Sequence, residues 1–101
     1  MIVYNITTKV HSTISDAWLQ WQREEHIPEI MATGLFTAFT VCRLLEQDDN
    51  EGPTYAIQFN AATAAAYEQY MHIHAPALRK KALEKWGERS ISFRSVLEVI
   101  Q

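Results

Sequence analysis

The sequence predicts an α+β domain in the order βαββαβ, a four-stranded antiparallel sheet with two kinked helices on one face. Three observations predict it. Four stretches alternate apolar and polar residues and are rich in β-branched or aromatic side chains, the pattern of half-buried strands. Two further stretches carry apolar residues at helical spacing, and each is interrupted by one proline. The helical stretches separate strands one and two and strands three and four, so the chain reads as two split β-α-β units, the ferredoxin-like arrangement. At 101 residues there is enough chain for one core and too little for two, so residues 1–101 are expected to be a single domain.

Ile2 to Val10 opens the chain as a strand, with Ile2, Tyr4, Ile6 and Val10 on one side and Asn5, Thr7 and Lys9 on the other. Ser15 is a suitable N-cap for the first helix, Asp16 suits its first turn, and Ile14 precedes the cap as an apolar staple. Trp18, Leu19, Trp21, Ile27, Ile30 and Met31 then follow at helical spacing. Pro28 lacks an amide hydrogen and biases Ile27 away from helical angles. A helix to about His26, a break, and a short segment beginning at Pro28 are therefore expected, with Gly34 ending it in a left-handed conformation.

Phe36 to Glu46 reads as the second strand, Gln47 to Pro53 (QDDNEGP) as a polar hairpin loop, and Thr54 to Asn60 as the third strand. Thr63 to Trp86 is the second helical region, capped by Asn60 or Thr63 and ended by Gly87. Pro76 breaks it, with Ala75 as the expected hinge. Leu78, Ala82, Leu83 and Trp86 are read as inward-facing, and Arg79, Lys80, Lys81, Glu84 and Lys85 as a solvated face. Ser90 to Ile100 is the last strand.

Composition narrows the partners. Net charge is −3 with both signs interspersed, which leaves no basic face for a phosphate backbone, so nucleic acid is not expected. Cys42 is the single cysteine and cannot form an internal disulfide, which fits a reducing compartment; it reads as a small apolar filler. The opening MIVYNITTKV has neither a basic region nor a signal-peptide core, and no apolar run approaches the length of a membrane span. The expectation is a cytoplasmic protein with no membrane partner.

The strands also bear on assembly. Tyr4 and Ile6, Phe39 and Val41, Tyr55, Ile57 and Phe59, and Phe93 and Leu97 are read as the face beneath the helices. The opposite face then carries Val3, Asn5, Thr7, Ala38, Thr40, Cys42, Ala56, Gln58, Arg94, Val96 and Glu98. That mixture is too apolar for a fully wet sheet and too polar for a plain core. Two copies packed face to face, as a dimeric α/β barrel, would cover it; a monomer with one wetted face is the alternative.

Several motifs follow one another along the chain: YNIT at Tyr4 to Thr7, WLQW at Trp18 to Trp21, EEHIPEIMATGLF at Glu24 to Phe36, TYAIQF at Thr54 to Phe59, HAPALR at His74 to Arg79, and FRSVLEV at Phe93 to Val99. In them the chain resembles an uncharacterised family of short bacterial proteins, a domain of unknown function. It is also similar in pattern to the dimeric α/β-barrel group of small antibiotic-biosynthesis monooxygenases, haem-degrading proteins and EthD-like proteins. The resemblance implies a ferredoxin-like protomer and a paired-sheet dimer, and it carries no catalytic residue over. There is no haem-ligand context and no flavin or nucleotide fingerprint, so no cofactor is expected.

Candidate chemistry centres on the proline break. His26 is read as a general base or acid with Glu25 or Glu29 holding its tautomer, or else as a structural partner for the carbonyl that Pro28 leaves loose. Trp18 and Trp21, with Tyr67 and Tyr70, are either an aromatic wall for a ligand or plain core. Tyr4, Asn5, His74 and Arg94 complete the candidate ligand-binding set, and Arg94 and Glu98 could instead form an ion pair across a dimer. His72 and His74 look like a metal pair but point apart on a helix; His26, His74 and a glutamate are the only other grouping, and no metal is expected. The function expected is a homodimeric module binding a small, partly apolar molecule. The alternatives are a cofactor-independent enzyme of the small-monooxygenase type, with His26 as base and Tyr4, Asn5 or Arg94 positioning the substrate, and a protein acting only through protein partners.

Overall fold

The alternating run at the start of the chain forms the central strand of the protein. The computed structural model describes all 101 residues, Met1–Gln101. β1 (Ile2–Val10) pairs antiparallel with β3 (Thr54–Ala61) on one side and β4 (Ser90–Glu98) on the other, and β2 (Ala38–Arg43) pairs with β3. The order β2-β3-β1-β4 with helices between its β-α-β halves is the ferredoxin-like fold. The second strand is shorter than the alternation suggests, and residues 44–53 form the loop. That loop folds over the end of β1, where Val10 N–H donates to Pro53 O at 2.9 Å and Ser12 N–H to Glu51 O at 2.8 Å. Only a glycine fits at position 52: a Cβ there would lie 1.9 Å from Val10 O.

The first helical region is continuous rather than broken. It runs as α1 (Ser15–Trp21), a π-helical turn (Gln22–His26) and α2 (Ile27–Met31). Pro28 has no N–H for the carbonyl four residues earlier, and the turn before it widens, so that Ile27 N–H donates to Gln22 O five residues back. Ile27 therefore keeps helical angles (φ −60°, ψ −45°) despite preceding a proline. The N-cap also shifts: Ile14 holds that position, and Ser15 begins the helix with its hydroxyl bonded to Ser12 O at 3.3 Å. Gly34 closes the region with φ +75°, as expected.

The second region is α3 (Ala64–Ile73) and α4 (Ala75–Trp86), with Thr63 accepting from Ala66 N–H at 3.1 Å as the N-cap. The joint is His74 (φ −109°, ψ −37°) rather than Ala75, which already belongs to α4. Ala75, Leu78 and Trp86 are buried, whereas Leu83 points outward and is 68% exposed. Between helices and sheet the core is largely aromatic. Phe36 packs on Phe59 at 5.3 Å and on Tyr70 at 4.8 Å between ring centroids, and Trp18 stacks on Tyr55 at 5.5 Å.

Register reverses one expectation. Opposed residues of an antiparallel pair share a face, and β4 places Val96 opposite Tyr4 and Arg94 opposite Ile6. Arg94, Val96 and Glu98 therefore lie on the helix side, and Ile91, Phe93 and Leu97 on the open side. An apolar set such as Phe93 and Leu97 is expected beneath the helices, but pairing with β1, not composition, sets the phase, and a shift of one residue inverts every side chain. Cys42, read as a filler, is exposed on β2, whose six residues are all exposed.

Candidate functional site

On the helix side of the sheet, α4 passes β4. There a groove of about 260 Å³ is lined by Arg79, Ala82, Leu83, Gly87, Ser90, Ser92 and Arg94. Its chemistry follows from the placement of two arginines. Arg79 sits beside Leu78 and one turn before Ala82 and Leu83, so it flanks the buried stripe of α4 rather than joining the solvated face. Arg94 points toward it from β4. Both donate to one atom, the buried phenol oxygen of Tyr4: Arg79 Nη2 at 3.1 Å and Arg94 Nε at 3.0 Å. Tyr4 itself is fixed by Phe36, Tyr67 and Tyr70, whose ring centroids lie within 6.3 Å of its own. Burial pushes the Tyr70 hydroxyl above its ordinary pKa, so that group stays protonated beside the pair of cations.

His26 occupies the π turn and stacks on Trp21, with ring centroids 4.4 Å apart and planes 19° from parallel. Burial is the main reason its pKa falls to about 4; Glu29 acts in the opposite sense, and Lys81 and Arg94 reinforce the fall. The ring is neutral at physiological pH. Its Nδ1 is buried without a hydrogen-bond partner, so the loose-carbonyl role for that atom is not realised. Of five such buried polar atoms, four belong to the helical layer: Gln22 Oε1 and His26 Nδ1 in the π turn, Arg79 Nε and Trp86 Nε1 in α4. Buried polar groups are nearly always paired, which marks this layer as the unusual part of the molecule.

The structure gathers only some of the candidate residues. Tyr4 and Arg94 meet, with Arg79 as the member that sequence reasoning missed; its position next to Leu78 on the stripe was the available signal. Asn5 lies on the opposite sheet face, bonded to Thr7 Oγ1 at 2.9 Å, and cannot share a ligand with Tyr4. Glu25 is exposed, and the carboxylate that bears on His26 is Glu29, itself bonded to Lys81 at 2.8 Å. Trp18 and Trp21 are core residues, 3% and 8% exposed. His74 is half-buried against Tyr70 at 6.2 Å and forms no cluster with His26 that could hold a metal ion.

The domain of unknown function DUF4286 matches residues 1–100. The chain belongs to this family. No curated protein matches it. Solved structures show how widely the DUF4286 fold is shared. An EthD-family protein from Bacillus halodurans is similar with a TM-score of 0.73 at 16% identity, over 99% of this chain and 100% of that one. A dimeric ferredoxin-like protein from an uncultured marine organism is similar with a TM-score of 0.72 at 12% identity, over 100% and 96%. SnoaB from Streptomyces nogalater, a cofactor-independent oxygenase, is similar with a TM-score of 0.66 at 15% identity, over 99% and 93%. At these identities the likeness shows the fold alone, and function must come from this chain's own residues. No helix is long and apolar enough to cross a membrane.

Proposed function

We propose that this DUF4286 chain is a cytoplasmic, homodimeric binding module whose α4–β4 groove takes a small, partly apolar molecule. The observation that carries the reading is the groove itself, a 260 Å³ space with the Tyr4, Arg79 and Arg94 polar centre beside the apolar groups of Ala82 and Leu83. Placed polar groups are what ligand sites use for orientation, and here Arg79, Arg94, Ser90 and Ser92 supply them beside the two apolar side chains of Ala82 and Leu83. A thermal-shift screen of small aromatic and aliphatic molecules tests it. Binders are expected, and Leu83→Trp, which fills the mouth of the groove from an exposed position, should abolish their effect. Binding that survives this substitution would move the site elsewhere.

The homodimer reading rests on the open sheet face. Ile91, Phe93 and Leu97 are 71%, 64% and 48% exposed there, beside the half-buried Val3, Asn5, Ala56 and Gln58 of β1 and β3. The reversed phase of β4 makes this face more apolar than the sequence reading had it, and exposed apolar patches of this kind mark contact surfaces. Sedimentation equilibrium at micromolar concentration is expected to give a dimer mass for the native chain and a monomer mass for Phe93→Lys. A native monomer would sink this part of the reading.

A second reading, an oxygenase-type enzyme that needs no cofactor and uses His26 as base, is favoured by the buried, unpartnered Nδ1 of His26. It is the weaker reading, because a ring with a pKa of about 4 is a poor proton acceptor near neutrality. Turnover unaffected by His26→Ala would remove it.

A further inference from the structure

We propose that the groove is selective for anions and that its ligand carries a carboxylate, held between Arg79 and Arg94. The inference rests on the groove being a binding site, and it names the class of molecule bound there.

The reasoning begins with unbalanced charge. The protein has three ion pairs, Arg43–Asp49, Lys80–Glu84 and Lys81–Glu29, and neither Arg79 nor Arg94 is in any of them. Two guanidinium groups instead share one neutral oxygen, that of Tyr4. Like charges converging without a counter-charge repel, and partial burial strengthens the repulsion. A phenol oxygen offsets little of this, since it brings no net charge. The remaining contact of Arg79 is Met71 Sδ at 3.8 Å, a weak acceptor, and its Nε is buried with no acceptor at all. An anion in the groove would supply the missing charge and accept from the remaining N–H donors.

Chemistry favours a carboxylate among anions. A guanidinium presents a planar fork that matches two carboxylate oxygens. The other polar groups lining the space are the hydroxyls of Ser90 and Ser92, and Ser92 Oγ is already bonded to Thr8 Oγ1 at 2.8 Å. No lysine lines the groove and its outer wall is Ala82 and Leu83, which suits an apolar body behind one singly charged head group better than a dianionic phosphate. Tyr4 fixes where the two cations converge, so little ordering remains to be done when a ligand arrives.

Calorimetric titration of the native protein with benzoate, benzamide and inorganic phosphate tests the inference. Benzoate is expected to bind, with benzamide roughly ten- to hundredfold weaker, the range set by a charge-assisted hydrogen bond. Arg79→Gln and Arg94→Gln should each weaken benzoate by a similar factor while thermal unfolding stays cooperative, and Lys80→Gln on the same helix should leave it unchanged. Equal binding of benzoate and benzamide, lost in Leu83→Trp, would overturn the anion inference and leave the binding module standing. Phosphate binding in preference to benzoate would overturn the carboxylate assignment. Benzoate binding indifferent to both arginine substitutions, or no benzoate binding at all, would overturn the inference outright.

Discussion

Replacing Trp18 with alanine is expected to cost about 3–5 kcal/mol, the range for removing a buried large side chain and leaving a cavity. Trp18 is 3% exposed, stacks on Tyr55 with planes 14° apart, and lines none of the grooves. The space left by the indole cannot close without moving Tyr55, against which it stacks. Against a typical total stability of about 5–15 kcal/mol, the loss is a large fraction. For a domain of this size it corresponds to a fall in Tm on the order of 20 °C. Melting should be compared at one protomer concentration, because a dimer makes Tm depend on concentration. Trp18→Phe should lie between the two. A Trp18→Ala protein with native Tm and impaired ligand binding would instead place the indole in a ligand wall.

The elements were legible because their signals are local. Alternation in Ile2–Val10, the prolines, Gly34 and the Thr63 cap act within a few residues, and each is where its chemistry requires. What failed was set by distant partners. The phase of β4 depends on whether Arg94 or Phe93 lies opposite a helix-facing residue of β1, and that register involves residues about ninety positions apart. The same error hid the site. Tyr4 and Arg94 both belong to the candidate ligand-binding set, but the sequence reading puts Arg94 on the open face and Arg79 on a solvated helix face, so their meeting at Tyr4 is not legible in it. Pro28 misled in another way. Its missing donor predicts a break, but a π turn absorbs the defect and keeps the helix whole, which carries His26 inward against Trp21.

That inward placement makes the titration of His26 a determinant of stability below neutral pH. Its pKa is about 4 in the folded protein and 6.5 as a free side chain. The unfolded chain therefore takes up a proton first as pH falls, and stability drops wherever the unfolded state binds more protons. The contribution is fully present above about pH 6.5, declines through the window down to about pH 4, and is gone below it. At about 1.4 kcal/mol per pKa unit, the loss is about 3 kcal/mol. His26→Phe keeps a ring over Trp21, removes the titration, and relieves the unpartnered Nδ1. Urea unfolding of both proteins between pH 4 and 7.5 should show the native protein losing that amount relative to the variant, since their carboxylates are the same. A constant difference across the window would mean that His26 is not held neutral. The same balance connects His26 to the groove. Arg94 is among the charges that lower the pKa of the ring, so a carboxylate bound at Arg94 would cancel part of that effect and make His26 more basic. An NMR titration of the imidazole with and without benzoate should therefore show a small upward movement of its pKa when the groove is filled, since burial, the main cause of the low value, is unchanged and Arg94 is the least of the charges that lower it.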